Sequence, residues 1–245
     1  MSKVKFEVCL QSVDGVAAAL AGGADRVELC AALIEGGLTP SHASIRAAQE
    51  VGIDVMVIIR PRGGDFVYSE RELDVMADDI AFCREVGVTG VVFGMLQPDG
   101  QVARSQVQRM VREAGPLQTT FHRAFDVCRD PFAALEELTD LGVTRILTSG
   151  QAATVPKGLD VIKQLVERAG ERIAIMPGCG ITADNVAEVI AATGVVEVHA
   201  TAFGRVESPM QFRNDRVYMG LPGLPEYERE ETSVKEVKRF VTALA

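Results

Sequence analysis

One junction recurs through this chain and constrains its fold more than any other feature. A helix-compatible run stops at glycine, and a short β-branched run starts a few residues later. The stops are Gly22-Gly23, Gly52, Gly87, Gly115, Gly142, Gly170 and Gly194. The β-branched runs span 4–10, 26–30, 54–59, 89–95, 117–122, 144–149, 172–176 and 195–199. Glycine suits a helix end because it enters the left-handed region without a steric penalty. The start signals agree: Ser12 ahead of the first helix, a Ser69–Glu72 capping box, and Asp130 followed by Pro131. The strands lack polar–apolar alternation, as expected when both faces are buried. Eight strands recurring every roughly 22–35 residues predict an α/β chain folded as a single (β/α)8 TIM barrel over 1–245. The competing architecture is a doubly wound open sheet. Its Gly-x-Gly-x-x-Gly fingerprint is missing after the first strand, where Gln11-Ser12-Val13-Asp14-Gly15 stands.

The rhythm breaks at 203–230. This long irregular segment after the eighth strand is rich in Arg, Pro and Gly, and is expected to be a cover over the barrel mouth or an interface arm. A C-terminal helix is expected within 231–245. Aromatic residues are 5% of the chain and Trp is absent, so small and branched side chains must fill the core.

A formal net charge of −9 with no Lys/Arg cluster argues against a nucleic-acid surface. No apolar run approaches the ~20 residues of a membrane span, and Met1-Ser2-Lys3-Val4-Lys5 is too polar a start for a signal peptide. Cys9, Cys30, Cys83, Cys128 and Cys179 form no close pair or even framework, which points to reduced thiols and a cytoplasmic protein.

In barrels of this kind the reacting groups sit at the C-terminal ends of the strands. Those ends offer Glu7 and Cys9, then Glu28 and Cys30, then Arg60 with Arg62 and Asp65, then His122, Arg123 and Asp126, and finally Glu197 and His199. Arg26, Arg145 and Arg172 begin strands and belong to the bottom face. Glu7, Glu28, Arg60, His122 and His199 can form a structural ion network or a catalytic site. In a site, His122 or Glu28 would move a proton, and the planar forks of Arg60 and Arg123 would clamp an anion. His122 should face the lumen, while Arg123 and Asp126 brace their loop against each other. Ser149-Gly150 and Gly178-Cys179-Gly180 lead into helix starts, where backbone N–H groups bind phosphate or sulfate; a tight turn that simply needs glycine is the alternative. No strand ends in Lys, which disfavours a Schiff-base aldolase, and Gly-x-Ser-x-Gly is absent. Cys9 and Cys30 lie on neighbouring strands and are the candidate thiolate ligands for Cu(I). Inward residues of one barrel layer come from alternate strands, however, which staggers neighbouring thiols in height. Each Cys also fits a small buried hydrophobe.

Five ordered motifs resemble the CutC family, which is named for copper homeostasis. They are Arg26-Val-Glu-Leu-Cys30, Glu35-Gly-Gly-Leu-Thr-Pro-Ser41, Arg60-Pro-Arg-Gly-Gly-Asp65, Thr120-Phe-His-Arg-Ala-Phe-Asp126 and Ile146-Leu-Thr-Ser-Gly150. Met210-Gln-Phe-Arg-Asn214 looks like the family's tail. The resemblance implies a cytosolic barrel, a homodimer or higher homo-oligomer, and a link to copper in which Cys30 is the motif cysteine. Two positions depart from the family pattern: Cys179, where a small residue is common, and Ala200-Thr201 after His199. Two functions fit these residues. One is a Cu(I)-binding protein of copper homeostasis. The other is a barrel enzyme acting on a small anionic or phosphorylated metabolite by general acid/base chemistry.

Overall fold

The computed structural model describes residues 3–220 and 223–245. The expectation about the N-terminus falls partly on Met1 and Ser2, which lie outside the described residues. Eight strands alternate with seven helices in order: β1 (Lys5–Leu10), α1 (Val13–Gly22), β2 (Arg26–Leu29), α2 (His42–Glu50), β3 (Asp54–Ile58), α3 (Glu70–Val86), β4 (Gly90–Phe93), α4 (Arg104–Ala114), β5 (Gln118–Phe121), α5 (Pro131–Asp140), β6 (Arg145–Thr148), α6 (Val155–Ala169), β7 (Ala174–Pro177), α7 (Val186–Thr193) and β8 (Glu197–Ala200). After them come β9 (Phe203–Glu207), β10 (Glu228–Thr232) and α8 (Val234–Ala243).

The end signals work as the side chains require. Ser12 accepts the N–H of Gly15, Ser69 and Glu72 close a reciprocal capping box, and Asp130 accepts from Phe132 and Ala133. Gly23 and Gly87 terminate their helices at φ +92° and +78°, in the left-handed region.

The eight strands are parallel in the order β7-β6-β5-β4-β3-β2-β1-β8. β7 and β8 meet through a parallel bridge between Gly178 and His199, which brings the sheet round into a nearly closed barrel. Strand periodicity then sorts the side chains. Val8, Leu10, Val27, Val55 and Val57 point outward into the large core beneath the helices. Cys9, Cys30, Met56, Ile58 and Val92 form a separate small cluster inside the lumen.

The lower lumen holds a buried ion network. Arg26 donates to Glu7 and, at 2.8 Å, to Glu197; Arg145 donates to Glu197, Thr120 Oγ1 and Gln118 Oε1. Arg26 and Arg145 are therefore where the strand starts were expected to put them. Glu7 and Glu197 are lower than the sequence reading had them. The register pairs Glu7 with Arg26 and Glu197 with Lys5, so both carboxylates share the level of strand beginnings. Arg172 precedes β7 and makes an exposed pair with Glu136.

The segment after β8 is not uniformly irregular. Its two ends pair as the antiparallel ribbon β9–β10. The ribbon rests against the outer wall near α1, where Ser12 Oγ donates to Glu231. α8 packs on α1 so closely that a Cβ at Gly22 would lie 2.4 Å from Val237.

Candidate metal centre at the barrel mouth

At the C-terminal ends of the strands lies a cavity of about 320 Å³. Cys9, Glu28, Cys30 and His199 form one side; Arg60, Phe66, His122, Arg123 and Asp126 form the other, and Ile58, Val127 and Leu147 supply apolar wall. Glu35 and Gly36 complete the lining. Among the described residues, none from 203–230 lines it, so the expected cover sits elsewhere.

The first group is a compact donor set. Cys9 Sγ lies 3.5 Å from Glu28 Oε2 and 4.0 Å from Cys30 Sγ; Cys30 Sγ is 3.6 Å from the same carboxylate oxygen, as is His199 Nε2. One ligand atom each from Cys9, Glu28 and His199 falls within 4.8 Å of the others, and all three residues are buried. The staggering expected of neighbouring strands does not separate the thiols. Cys9 is level with Glu28 in the register, one step below Cys30's neighbour Leu29, and the two side chains lean together across that offset.

His199 is held from behind. Its Nδ1 is 2.8 Å from Glu7 Oε1, and the other oxygen of Glu7 takes the Arg26 guanidinium. Glu7 is thus not part of the cavity wall but a support beneath it. Burial alone would raise the Glu7 pKa; Arg26 and the hydrogen bond from His199 outweigh it and hold the carboxyl at about 2. Burial would likewise lower the His199 pKa, but contact with Cys9 and Glu7 and the charge of Glu28 raise it well above its ordinary value. The hydrogen bond from Cys30 brings Cys9 down to about 5, while the same bond raises Cys30. Burial and the neighbouring Cys9 push Glu28 up. Within the cluster, therefore, Cys9 gives up its proton more readily than a free thiol, while Cys30, Glu28 and His199 hold theirs more tightly than free groups would.

These residues fit a metal ion. Two sulfurs 4.0 Å apart can both reach one ion at the ~2.3 Å of a metal–thiolate bond. Thiolate with imidazole is the donor chemistry of Cu(I) or zinc rather than of magnesium or calcium. A carboxylate on the far nitrogen of the ring is the usual orienting partner of a ligating His, and Glu7 stands in that position behind His199.

The other wall differs. His122 Nδ1 accepts the N–H of Ala124 at 3.1 Å, which leaves the ring proton on Nε2. Burial, then the charge of Arg60, lowers the His122 pKa to about 3, so the ring is neutral and acts as a donor rather than a base. Gly94 makes room for it; a Cβ there would lie 2.5 Å from Nδ1. Arg60 ties the loops after β2 and β3 together by donating to the carbonyls of Glu35, Gly37 and Gly64.

The glycine loops carry a different load from the one expected. The amides of Ser149 and Gln151 donate to the Asp126 carboxylate, which also accepts from Thr148 Oγ1, Ser149 Oγ and Arg123 Nε; the Gly150 amide donates to Thr148 Oγ1. Asp126 is an internal anion in the place where a phosphate was anticipated. Gly150 is needed because a Cβ would meet the Gly158 carbonyl oxygen at 2.3 Å. Gly178 lets the His199 ring approach, since its Cβ would lie 3.0 Å from Cδ2. Gly180 packs on Thr154. Ser149, Gly150, Gly178 and Gly180 all lie outside the cavity lining.

Sequence reasoning missed Glu35, Phe66, Val127 and Leu147 as cavity residues. Glu35 opens one motif that was singled out, Leu147 lies inside another and Phe66 directly follows a third; Val127 carries no chemical signal at all.

The model of the CutC family matches residues 4–204. A CutC family protein of Parabacteroides distasonis is 48% identical over 239 residues, covering 96% of this chain and 98% of its own length. A human protein described as a copper homeostasis protein cutC homolog is 45% identical over 242 residues, covering 98% of this chain and 88% of its own. The crystal structure of a CutC protein from Streptococcus agalactiae superposes with a TM-score of 0.77 at 36% identity, over 81% of this chain and 98% of that one.

Proposed function

The chain belongs to the CutC family, the copper homeostasis family, and from that premise we propose that it binds Cu(I) at the barrel mouth through Cys9, Cys30 and His199, with Glu28 as the adjoining carboxylate. The observation that carries the reading is the buried donor set itself: Cys9, Glu28 and His199 within 4.8 Å, and Cys30 Sγ 4.0 Å from Cys9. Binding would require the Cys30 thiol and His199 Nε2 to be free of protons, so metal uptake would release protons. Glu7 fixes the His199 ring, and Arg26 fixes Glu7. The apolar neighbours Met56, Ile58 and Val92 pack against the thiols.

The reading places the protein in the cytoplasm, where thiols stay reduced. It also has copies of the chain associate through the exposed apolar side chains Met210, Phe212, Tyr218 and Met219. Sedimentation showing only monomer at micromolar concentration would remove that part.

The test is a titration of reduced protein with Cu(I) against a competing chelator, for wild type, Cys9→Ser and Cys30→Ser. Both substitutions are expected to weaken binding. Affinity unchanged in both overturns the site, and selective uptake of Zn(II) from a Zn(II)/Cu(I) mixture reassigns the metal.

A further inference from the structure

We propose that the wall facing the thiols is a second binding site, for a small organic carboxylate, held by the Nε2–H of His122 and the Nε–H of Arg60. The donor cluster explains one side of the cavity and leaves the other unexplained. His122 Nε2 and Arg60 Nε are both buried and have no hydrogen-bond partner among the described residues. Both side chains are 5% exposed, and both line the same cavity. A buried donor left unmade is costly, so two of them in one cavity mark a place where an acceptor belongs.

The charge agrees. Arg60 bonds three carbonyls, with the Phe66 ring and the Tyr68 hydroxyl beside it, and forms no ion pair with any described carboxylate. An incoming anion meets a guanidinium that no side chain has neutralised. The volume agrees as well. About 320 Å³ far exceeds what one metal ion fills and falls in the range of small-molecule pockets. The apolar walls of Ile58, Phe66, Val127 and Leu147 call for a ligand with a carbon body.

A carboxylate fits better than a phosphate. Two unpartnered donors in one cavity match the two oxygens of a carboxylate. The amides that would hold further oxygens, those of Ser149 and Gln151, are engaged by Asp126. Asp126 and Glu35, which line the same cavity, also disfavour a doubly charged ligand. The inference stands on its own residues and does not rest on Cu(I) binding.

Reduced, metal-free protein is titrated with benzoate, with benzyl alcohol as the neutral counterpart and inorganic phosphate as the second anion. The His122 ring nitrogens are followed by NMR. Benzoate is expected to shift the Nε2–H signal and to bind more tightly than either comparator. In His122→Phe, which keeps the ring volume, binding is expected to fall by about tenfold or more. Absence of any Nε2–H shift at millimolar benzoate overturns the proposal, as does equal binding of benzyl alcohol or phosphate, or full binding to His122→Phe. The signal in wild type decides the matter even if the variant does not fold. A protein that binds benzoate but not Cu(I) refutes the metal reading alone, and the converse result refutes only this one.

Discussion

The lower lumen and the barrel mouth are built from the same residue types at similar depth, yet they are finished differently. Below, Arg26 meets Glu7 and Glu197, and Arg145 meets Glu197, so each buried cation has a buried carboxylate. Above, Arg60 has carbonyls but no carboxylate, His122 Nε2 and Arg60 Nε have no hydrogen-bond partner among the described residues, and the thiols, Glu28 and His199 stand 3.5–4.0 Å apart, too far for strong hydrogen bonds. Burial of charge is thus common to both regions, and completeness of pairing is what separates them. The closed network holds the fold together; the open one has valences left for a ligand.

The comparison can be broken most forcefully at Arg26. Arg26→Met leaves Glu7 and Glu197 with fewer partners in a buried setting, and is expected to cost about 3–5 kcal/mol in urea unfolding. A loss within error of wild type would erase the distinction between the two regions.

Next comes the pH response of the mouth. His122 stays neutral in the folded protein down to about 3, against an ordinary value of 6.5. Between those values the unfolded chain binds a proton that the native ring refuses. The stability contribution is therefore complete above about pH 6.5 and is lost progressively as pH falls toward 3. His122→Phe should flatten the stability–pH curve across that window by on the order of a few kcal/mol. Parallel curves for wild type and variant would show that the ring is not held neutral.

Glu7 belongs to both regions and tests how they are joined. Glu7→Gln is expected to weaken metal binding by about 10- to 100-fold, the usual cost of losing the carboxylate behind a ligating His, measured by the Cu(I) competition on folded protein. Unchanged affinity would confine Glu7 to the lower network. The smallest effect sharpens the contrast: Arg172→Ala removes an exposed pair with Glu136 and should leave urea unfolding indistinguishable from wild type.

The barrel was legible because its signals are local. Ser12, Ser69 with Glu72, and Asp130 cap their own helices within three residues, and the terminal glycines act on the turns they end. The level of a side chain in the lumen is not local. Glu7 reads as a strand-end residue in the chain, but the register with β2 sets it beside Arg26 at the bottom. The approach of Cys9 to Cys30 depends in the same way on side-chain reach across a staggered pair. The Arg123–Asp126 brace was readable because it spans three residues. That the same Asp126 fills the loop after β6 was not, because its partners lie 22–25 residues away. The protonation of His122 was hidden for a further reason: it follows from the charge of Arg60 and from burial, neither of which a motif displays.

The Gly178–His199 bridge has a mechanical consequence. It is the buckle of the barrel: seven strand contacts are ladders, and the eighth, between β7 and β8, is drawn together at the residue that also faces the thiols. Cargo gripped by the His199 ring would tension that seam from inside, and by linkage the backbone of β7 and β8 would exchange its amide hydrogens more slowly in loaded protein than in empty protein. Occupancy of the mouth would then be recorded in the closure of the barrel itself.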